Sequence, residues 1–281
     1  IPDYMDWTTP DLSAELLPGQ TKVFPIYPKL PNKVTQTRSR TPALLELKIA
    51  YVDSNGKAVE KIEKREFEFR GVNEIEYSSL PDSEIVDWYD MFSNNEIIAA
   101  YVTDEDDVVK QYLGKISETQ GGVGIINTQK DLLTFLRSCY DFQVKTGMTY
   151  AAAKGIPERV GDTTAIVQSV RLPRDVIQQN SGLCIELAIL QAALAQAAGA
   201  KAYLVLIPGH CYPMIQANDG SMIAIESTGI GGANLGGVHP FEKAVEQGMK
   251  QFDDVRQGKL PAVVLDVGLQ HSRGLRPPEL D

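Results

Sequence analysis

Cysteine is scarce in this sequence, and the three cysteines present exclude a framework of disulfide bonds. Cys139, Cys184 and Cys211 form no Cys-x-x-Cys pair. Structural zinc sites combine cysteine and histidine at short, regular intervals, and no cluster with that spacing occurs here. Each cysteine is therefore interpreted separately, as a buried thiol or as a reactive one.

Long apolar runs and positive charge are also lacking. No apolar run approaches the ~20 residues that span a bilayer, so we expect no membrane insertion. The chain has 27 basic and 37 acidic residues, a formal charge of −10 and a pI of about 4.9. Such a surface repels phosphate backbones and anionic lipid, so we expect no nucleic-acid partner.

The composition that remains is that of a globular protein. Hydrophobic residues make up 43% and charged residues 23% of the 281 residues, which excludes a disordered chain. This length suits one large domain or two of ordinary size. The sequence begins at Ile1 rather than Met, which we interpret as a trimmed or processed chain, and a removed signal peptide would not be visible.

Residues 1–94 are predicted to form an N-terminal β-sandwich domain. Apolar and polar residues alternate from Leu45 to Tyr51, and again around Phe67 and Phe69. This alternation has the period of half-buried strands. Prolines at positions 25, 28, 31 and 42 disfavour a long helix in this part of the chain.

Residues 95–281 are predicted to form the second domain, in which helical patterns replace the alternation. Thr103 precedes four acidic residues and then an apolar pattern, which indicates a capped helix start. The spacing of those acids is not that of an EF-hand, which disfavours a calcium loop. A second helix is predicted from Thr128 to about Lys145, with Cys139 as a buried apolar residue.

The segment from Arg171 to Thr228 carries the chemistry. Ser181-Gly182 interrupts the chain just before Cys184, and the next fifteen residues, ending at Gly199, are almost all apolar or small. This pattern predicts a helix that is buried on nearly all sides and begins at or near Cys184. Free N–H groups and the dipole at a helix N-terminus stabilise a thiolate. The competing interpretation is one more buried thiol.

A histidine and a carboxylate follow in the order that a cysteine hydrolase needs. An apolar run over 202–207 predicts a central strand, and Pro208-Gly209 interrupts it directly before His210. A hairpin signal, Asn218-Asp219-Gly220, then precedes a returning strand that ends at Glu226. A thiol, a base and a carboxylate that orients the base form a cysteine-hydrolase triad.

The length of the hairpin loop decides whether the histidine and the carboxylate share a face. With a three-residue loop and Gly220 in the left-handed conformation, Tyr212 lies opposite Glu226. His210 is then a diagonal neighbour of Glu226, at ~7–8 Å between backbones. A two-residue loop would turn Glu226 to the opposite face.

Three segments, GLCIEL, PGH and IEST, resemble the three motifs of the transglutaminase-like superfamily. In that order they place cysteine at a helix start, histidine on the next strand and an acid on the strand after it. The resemblance covers roughly residues 128–230 and includes the Arg-Leu-Pro sequence at 171–173. It implies Cys184 as nucleophile, His210 as base and Glu226 as orienting acid, where the family usually has Asp.

The resemblance also implies a fold and a function. The expected fold class is α+β, a transglutaminase-like, papain-like catalytic domain preceded by an immunoglobulin-like β-sandwich, as in bacterial exported members. The expected function is that of a cysteine peptidase, amidase or acyl-transferase that acts on a protein or peptide through a thioester, without metal or organic cofactor. A periplasmic or secreted location follows from the same resemblance. The alternative is an inactive binding or structural module, which the Glu-for-Asp exchange favours.

Other features have a less specific interpretation. The backbone N–H of Cys184 is an expected oxyanion donor, and Gln178, Gln179 or Asn180 could supply a side-chain amide. The glycine-rich stretch 229–237 is expected to be a flexible wall or lid rather than a nucleotide loop. Cys211 is expected to point away from the site and to be inert.

Overall fold

The structure is a computed structural model with two compact units, Ile1–Val72 and Asn73–Asp281. It combines helices with several sheets, which confirms the predicted α+β class. The residues that it describes are 1–7, 13–17, 19–22, 31–53, 55–120, 124–152, 155–162, 166–232 and 237–277.

The described residues of the first unit contain one long β-hairpin. Strand β1 (Thr41–Val52) pairs antiparallel with β2 (Ala58–Phe69), after a short 3-10 helix at Asn32–Gln36. The alternating pattern thus confirms the predicted strands. An immunoglobulin-like sandwich needs two packed sheets, and this part of the unit forms a single two-stranded sheet, so the sandwich is not confirmed.

Residues 73–94 lie in the second unit, whereas the sequence analysis placed the boundary between residues 94 and 95. Strand β3 (Glu74–Glu76) pairs antiparallel with a strand at Val167–Ser169. The indole N–H of Trp88 donates to the backbone oxygen of Pro157 at 3.1 Å. These partners are distant in the sequence, and a local pattern does not reveal them.

The centre of the second unit is the helix Cys184–Ala197, which is buried on every side. It packs against an antiparallel four-stranded sheet. The strand order in that sheet is Val263–Asp266, Lys201–Ile207, His210–Gln216 and Met222–Ala224. This arrangement confirms the buried helix and the central strand that the sequence predicts.

The remaining elements surround this centre, and labels follow chain order. The helices are α1 (Asp107–Gln120), α2 (Gln129–Lys145), α3 (Pro173–Gln179), α4 (Cys184–Ala197), α5 (Phe241–Arg256) and α6 (Val267–Ser272). The strands after β3 are β4 (Thr149–Tyr150), β5 (Val167–Ser169), β6 (Ser181–Gly182), β7 (Lys201–Ile207), β8 (His210–Gln216), β9 (Met222–Ala224) and β10 (Val263–Asp266). Short 3-10 helices also occur, at Asp82–Glu84, Tyr89–Phe92, Asn95–Tyr101 and Ser227–Ile230.

Two predicted helices are confirmed at their N-termini. The helix predicted from Thr128 begins at Gln129 and ends at Lys145 as expected, and Thr128 caps it by accepting a hydrogen bond from the backbone N–H of Asp131 at 3.3 Å. Helix α1 begins within the acidic run that follows Thr103. Within the described ranges, every helix is too short or too polar to cross a membrane.

Helix α5 approaches the backbone of β9 closely through a glycine. A Cβ atom at Gly248 would lie 2.6 Å from the carbonyl of Ala224 and 2.6 Å from Cα of Ile225. Those neighbours are backbone atoms, so they cannot move away through a change of side-chain rotamer. The glycine therefore fixes the distance between α5 and the end of β9.

We predict that Gly248→Ala lowers the free energy of unfolding by about 1–3 kcal/mol, because the methyl group overpacks this contact. Gly114→Ala is the matched control, since Gly114 lies in α1 with open space around its Cβ position. There the better helix propensity of alanine should raise stability by up to about 1 kcal/mol. Urea denaturation monitored by circular dichroism measures the free energy of unfolding of both variants. A Gly248→Ala protein as stable as the Gly114→Ala protein would contradict the close packing.

Candidate active site

Cys184 is the first residue of α4, as the sequence predicts. Leu183 is the N-cap residue and has an extended backbone, with φ −71° and ψ 168°. Cys184 is 6% exposed, so its thiol is largely covered. The free N–H groups and the dipole at this end of the helix favour a negative charge on the sulfur.

A buried ion pair holds the start of α4 in place. Glu186 is 2% exposed and accepts a hydrogen bond from the backbone N–H of Leu183 at 2.8 Å. The guanidinium of Arg171 donates to the Glu186 carboxylate through Nε at 3.1 Å and Nη2 at 2.6 Å. Arg171 also donates to the backbone oxygen of Ser181 at 3.1 Å. The pair therefore ties the chain on both sides of Gly182 and fixes the backbone that carries Cys184.

His210 begins β8 and interacts with both other residues of the predicted triad. Its Nε2 lies 2.8 Å from Oε2 of Glu226, and Cys184 is close enough to the ring to influence its protonation. Burial opposes the charged ring, but the hydrogen bonds and negative charges of Cys184 and Glu226 outweigh it and raise the pKa of His210 to about 10.

Glu226 is a buried carboxylate whose two oxygens are both occupied. Oε1 accepts the backbone N–H of Thr228 at 3.0 Å and its hydroxyl at 2.6 Å. Oε2 faces His210 and accepts Nε2–H of Gln251 at 3.2 Å. Burial favours the neutral acid, but the bonds from His210 and Thr228 keep the pKa of Glu226 below its usual value. Glu226 is therefore an anion in a fixed orientation.

The hairpin has the predicted three-residue loop. The backbone N–H of Ala217 donates to Ser221 at 2.9 Å, that of Gly220 donates to Ala217 at 3.0 Å, and Gly220 has a φ of +88°. The pairing of Met214 with Ala224 continues this register toward Tyr212 and Glu226. The diagonal relation of His210 and Glu226 follows from it, which confirms the predicted geometry.

Two tyrosines near Cys184 were not found from the sequence. Tyr150 lies opposite Gly182, where β4 pairs in parallel with β6. Burial, followed by the charges of Cys184 and Glu226, raises the pKa of Tyr150 to about 12. Tyr77 is fully buried, and burial raises its pKa above the usual range, with Cys211 and Cys184 adding to the effect. Neither tyrosine belongs to a local motif, and only tertiary contacts bring them here.

The side-chain amides considered as oxyanion donors have other environments. Asn180 donates through Nδ2 to the backbone oxygen of Thr146 at 2.7 Å. It is the C-cap residue of α3, with a left-handed backbone and a φ of 52°. Gln179 accepts Nη1–H of Arg171 at 2.5 Å and is exposed, as is Gln178. Asn180 and Gln179 lie at the end of α3, and their hydrogen bonds with Thr146 and Arg171 are therefore structural.

The other cysteines and histidines are not part of this arrangement. Cys139 and Cys211 are fully buried, and burial raises the pKa of both thiols. His271 contacts the backbone oxygen of Ala99 through Nε2 at 2.9 Å, and His239 contacts Lys243. Residues 233–236 of the predicted glycine-rich lid lie outside the described residues, so the lid stays a prediction.

A cleft of about 880 Å³ is lined by residues that are close in the sequence to Cys184 and His210. Leu183, which precedes Cys184, and Pro208, two residues before His210, line it together with Gln168 from β5. In the described parts of the chain, no group of three or more His, Cys, Asp or Glu side chains is arranged to hold a metal ion. The polar side chains that line the cleft are those of Glu158, Arg159, Asp162, Gln168 and Ser169.

Comparison with known proteins adds little to this geometry. No family model matches the chain, and no curated protein matches it. Among solved structures, a crystal structure of a candidate protease from Parabacteroides distasonis is 12% identical, with a TM-score of 0.26. The match covers 72% of this chain and 43% of that one, so this chain spans less than half of its length. A likeness at this level carries no argument about fold or function.

Removing the cation that neutralises Glu186 is expected to destabilise the protein strongly. Arg171→Met leaves a carboxylate that is 2% exposed without its partner, and loss of one member of a buried pair typically costs about 3–5 kcal/mol. The control is Lys259→Met, which breaks an exposed pair with Asp254 and should cost about 1 kcal/mol or less. Chemical denaturation of both variants tests this. Equal losses would mean that the Arg171–Glu186 pair does not hold the start of α4.

The titration of His210 provides a second prediction. Its pKa of about 10 lies above the ordinary value of 6.5, so its charged form stabilises the fold. That contribution is fully present below the unfolded pKa and disappears as pH rises through the folded pKa. Histidine ring resonances in an NMR titration, assigned with His210→Gln, should show one ring that stays protonated past neutral pH. Glu226→Gln should lower that midpoint, and a wild-type midpoint near 6.5 would refute the ion pair.

Proposed function

We propose that this protein is a cysteine hydrolase or acyl-transferase that acts on amide bonds through a thioester on Cys184. The observation that carries the proposal is the 2.8 Å contact of His210 with the buried Glu226, together with Cys184 at the start of α4 and near enough to raise the pKa of His210. A thiol at a helix N-terminus, a protonated imidazole and an orienting carboxylate are the groups that this chemistry needs.

The proposed reaction has two stages. In the first, the Cys184 thiolate forms a bond to the amide carbonyl carbon, His210 donates its proton to the leaving amine, and the C–N bond breaks. In the second, water or another amine attacks the thioester while His210 accepts the proton of the attacking group. The C–S bond then breaks and restores the thiolate. Water as the acceptor makes the protein a peptidase or amidase, and an amine makes it an acyl-transferase.

The carboxylate keeps its role in this proposal although it belongs to glutamate rather than aspartate. Oε2 of Glu226 is 2.8 Å from Nε2 of His210, so the additional methylene group does not prevent the contact. The backbone N–H of Cys184 is the proposed first oxyanion donor. The motif resemblance supports the further proposals of a transglutaminase-like, papain-like fold, an immunoglobulin-like first domain, a protein or peptide substrate and a periplasmic or secreted location.

The reactivity of the thiol tests the function. At mildly acidic pH, Cys184 should react with iodoacetamide at least about tenfold faster than the free thiol of glutathione reacts with it, because the helix N-terminus and the imidazolium favour the thiolate. His210→Ala should slow the labelling by about tenfold or more, and Glu226→Gln should slow it less, since the acid mainly orients the ring. His271→Gln is the control and should leave the rate unchanged. Mass spectrometry of the labelled peptides measures the labelling rate of Cys184 in the wild-type protein and in the three variants.

Two outcomes would favour the alternative of an inactive binding or structural module. One is a Cys184 that reacts no faster than glutathione. The other is a His210→Ala protein that is labelled at the wild-type rate. Cys139 and Cys211 are fully buried, so their protection alone would not distinguish an activated thiol from an ordinary one.

A further inference from the structure

We propose that the side-chain amide of Gln168 binds a carbonyl oxygen of the amide substrate in the cleft beside Cys184. This inference deepens the proposed function and rests on it, since it assigns how the substrate is held. Gln168 is the middle residue of β5, where it pairs with Ile75 of β3. It lines the cleft together with Leu183.

Gln168 is a buried polar residue in a position shaped around its amide. It is 7% exposed, and burial of an amide is unfavourable unless its hydrogen bonds are satisfied. A Cβ atom at position 155 would lie 2.0 Å from Nε2 of Gln168, so the glycine found there leaves room for the amide. The glycine at position 155 therefore accommodates this side chain specifically.

The oxygen of the amide is occupied by Tyr77, whose hydroxyl donates to Oε1 of Gln168. Burial, followed by the charges of Cys211 and Cys184, raises the pKa of Tyr77, so the hydroxyl stays protonated and remains a donor. This contact orients the amide and leaves the Nε2 hydrogens free. In the described part of the chain, Nε2 has no hydrogen-bond partner.

A free N–H donor in a cleft selects for an acceptor, and each peptide unit of a substrate presents a carbonyl oxygen. The charged residues of the cleft are Glu158, Arg159 and Asp162. They have both signs, so charge alone does not define the ligand. Leu183 lines this cleft and directly precedes Cys184, and we place the bound carbonyl on the side of the sulfur. A donor fixed in advance by Tyr77 binds it without reorganisation.

The test compares two reagents that react with the same thiol in the full-length protein. N-acetyl-Ala-Ala chloromethyl ketone presents peptide carbonyls to the cleft, whereas methyl methanethiosulfonate contains no carbonyl group. Gln168→Leu, which removes the amide, should slow alkylation of Cys184 by the ketone by about tenfold or more, as expected for the loss of one hydrogen bond. The rate with the thiosulfonate should stay within about twofold of the wild-type rate.

Two further variants make the comparison specific. Tyr77→Phe keeps the packing but removes the donor that orients Gln168, so it should also slow the ketone reaction, by a smaller factor. Gln179→Leu removes an exposed amide that accepts from Arg171, and should change neither rate by more than about twofold. Tyr77→Phe also provides a second measurement if Gln168→Leu does not fold.

The outcomes separate this inference from the proposed function. If wild-type Cys184 reacts with the thiosulfonate no faster than glutathione does, the proposed function fails and this inference fails with it. If Cys184 is activated but Gln168→Leu and Tyr77→Phe keep the wild-type ketone rate, only the role of Gln168 is overturned. Equal slowing with both reagents would likewise overturn the substrate contact, because the amide would then act on the sulfur or on the fold.

Discussion

The rest of the second unit depends on the complete burial of α4. A helix that is apolar on every side has to be enclosed by other elements, and here the four-stranded sheet and several helices enclose it. Enclosure brings the first turn of the helix, with Cys184 and Glu186, into the interior. The buried charge on Glu186 then requires the cation of Arg171. The position of the sulfur is therefore set by the same contacts that satisfy a buried carboxylate.

Sequence reasoning succeeded where the information is local. The apolar run after Cys184 predicts a buried helix without reference to its neighbours, and the loop of Asn218-Asp219-Gly220 fixes the strand register. One residue of register determines which face Glu226 occupies, so correct turn chemistry was enough to pair Glu226 with His210. The catalytic roles of these residues stay a prediction.

The contacts that sequence reasoning missed are all long-range. Gln251 reaches Glu226 from α5, and Tyr150 approaches Cys184 through the parallel pairing of two short strands. Gln168 faces the cleft because β5 pairs with β3, a segment assigned from the sequence to the first domain. None of these positions has a signal in its own neighbourhood. An amide or hydroxyl on a short strand looks the same in sequence whether it faces solvent or the interior of the protein.

Helix α5 has a consequence for the minimal size of this protein. The segments GLCIEL, PGH and IEST all end by residue 228, so a fragment that stopped at Gly232 would contain every residue of the triad. Such a fragment would lack the Ala244 carbonyl, which accepts the backbone N–H of Glu226 at 2.9 Å, and the Gln251 amide, which donates to its carboxylate at 3.2 Å. It would contain the three residues of the predicted triad but would lack the two hydrogen bonds that orient Glu226. The smallest unit that holds Glu226 in this orientation therefore extends through α5, well beyond the last of the three motifs.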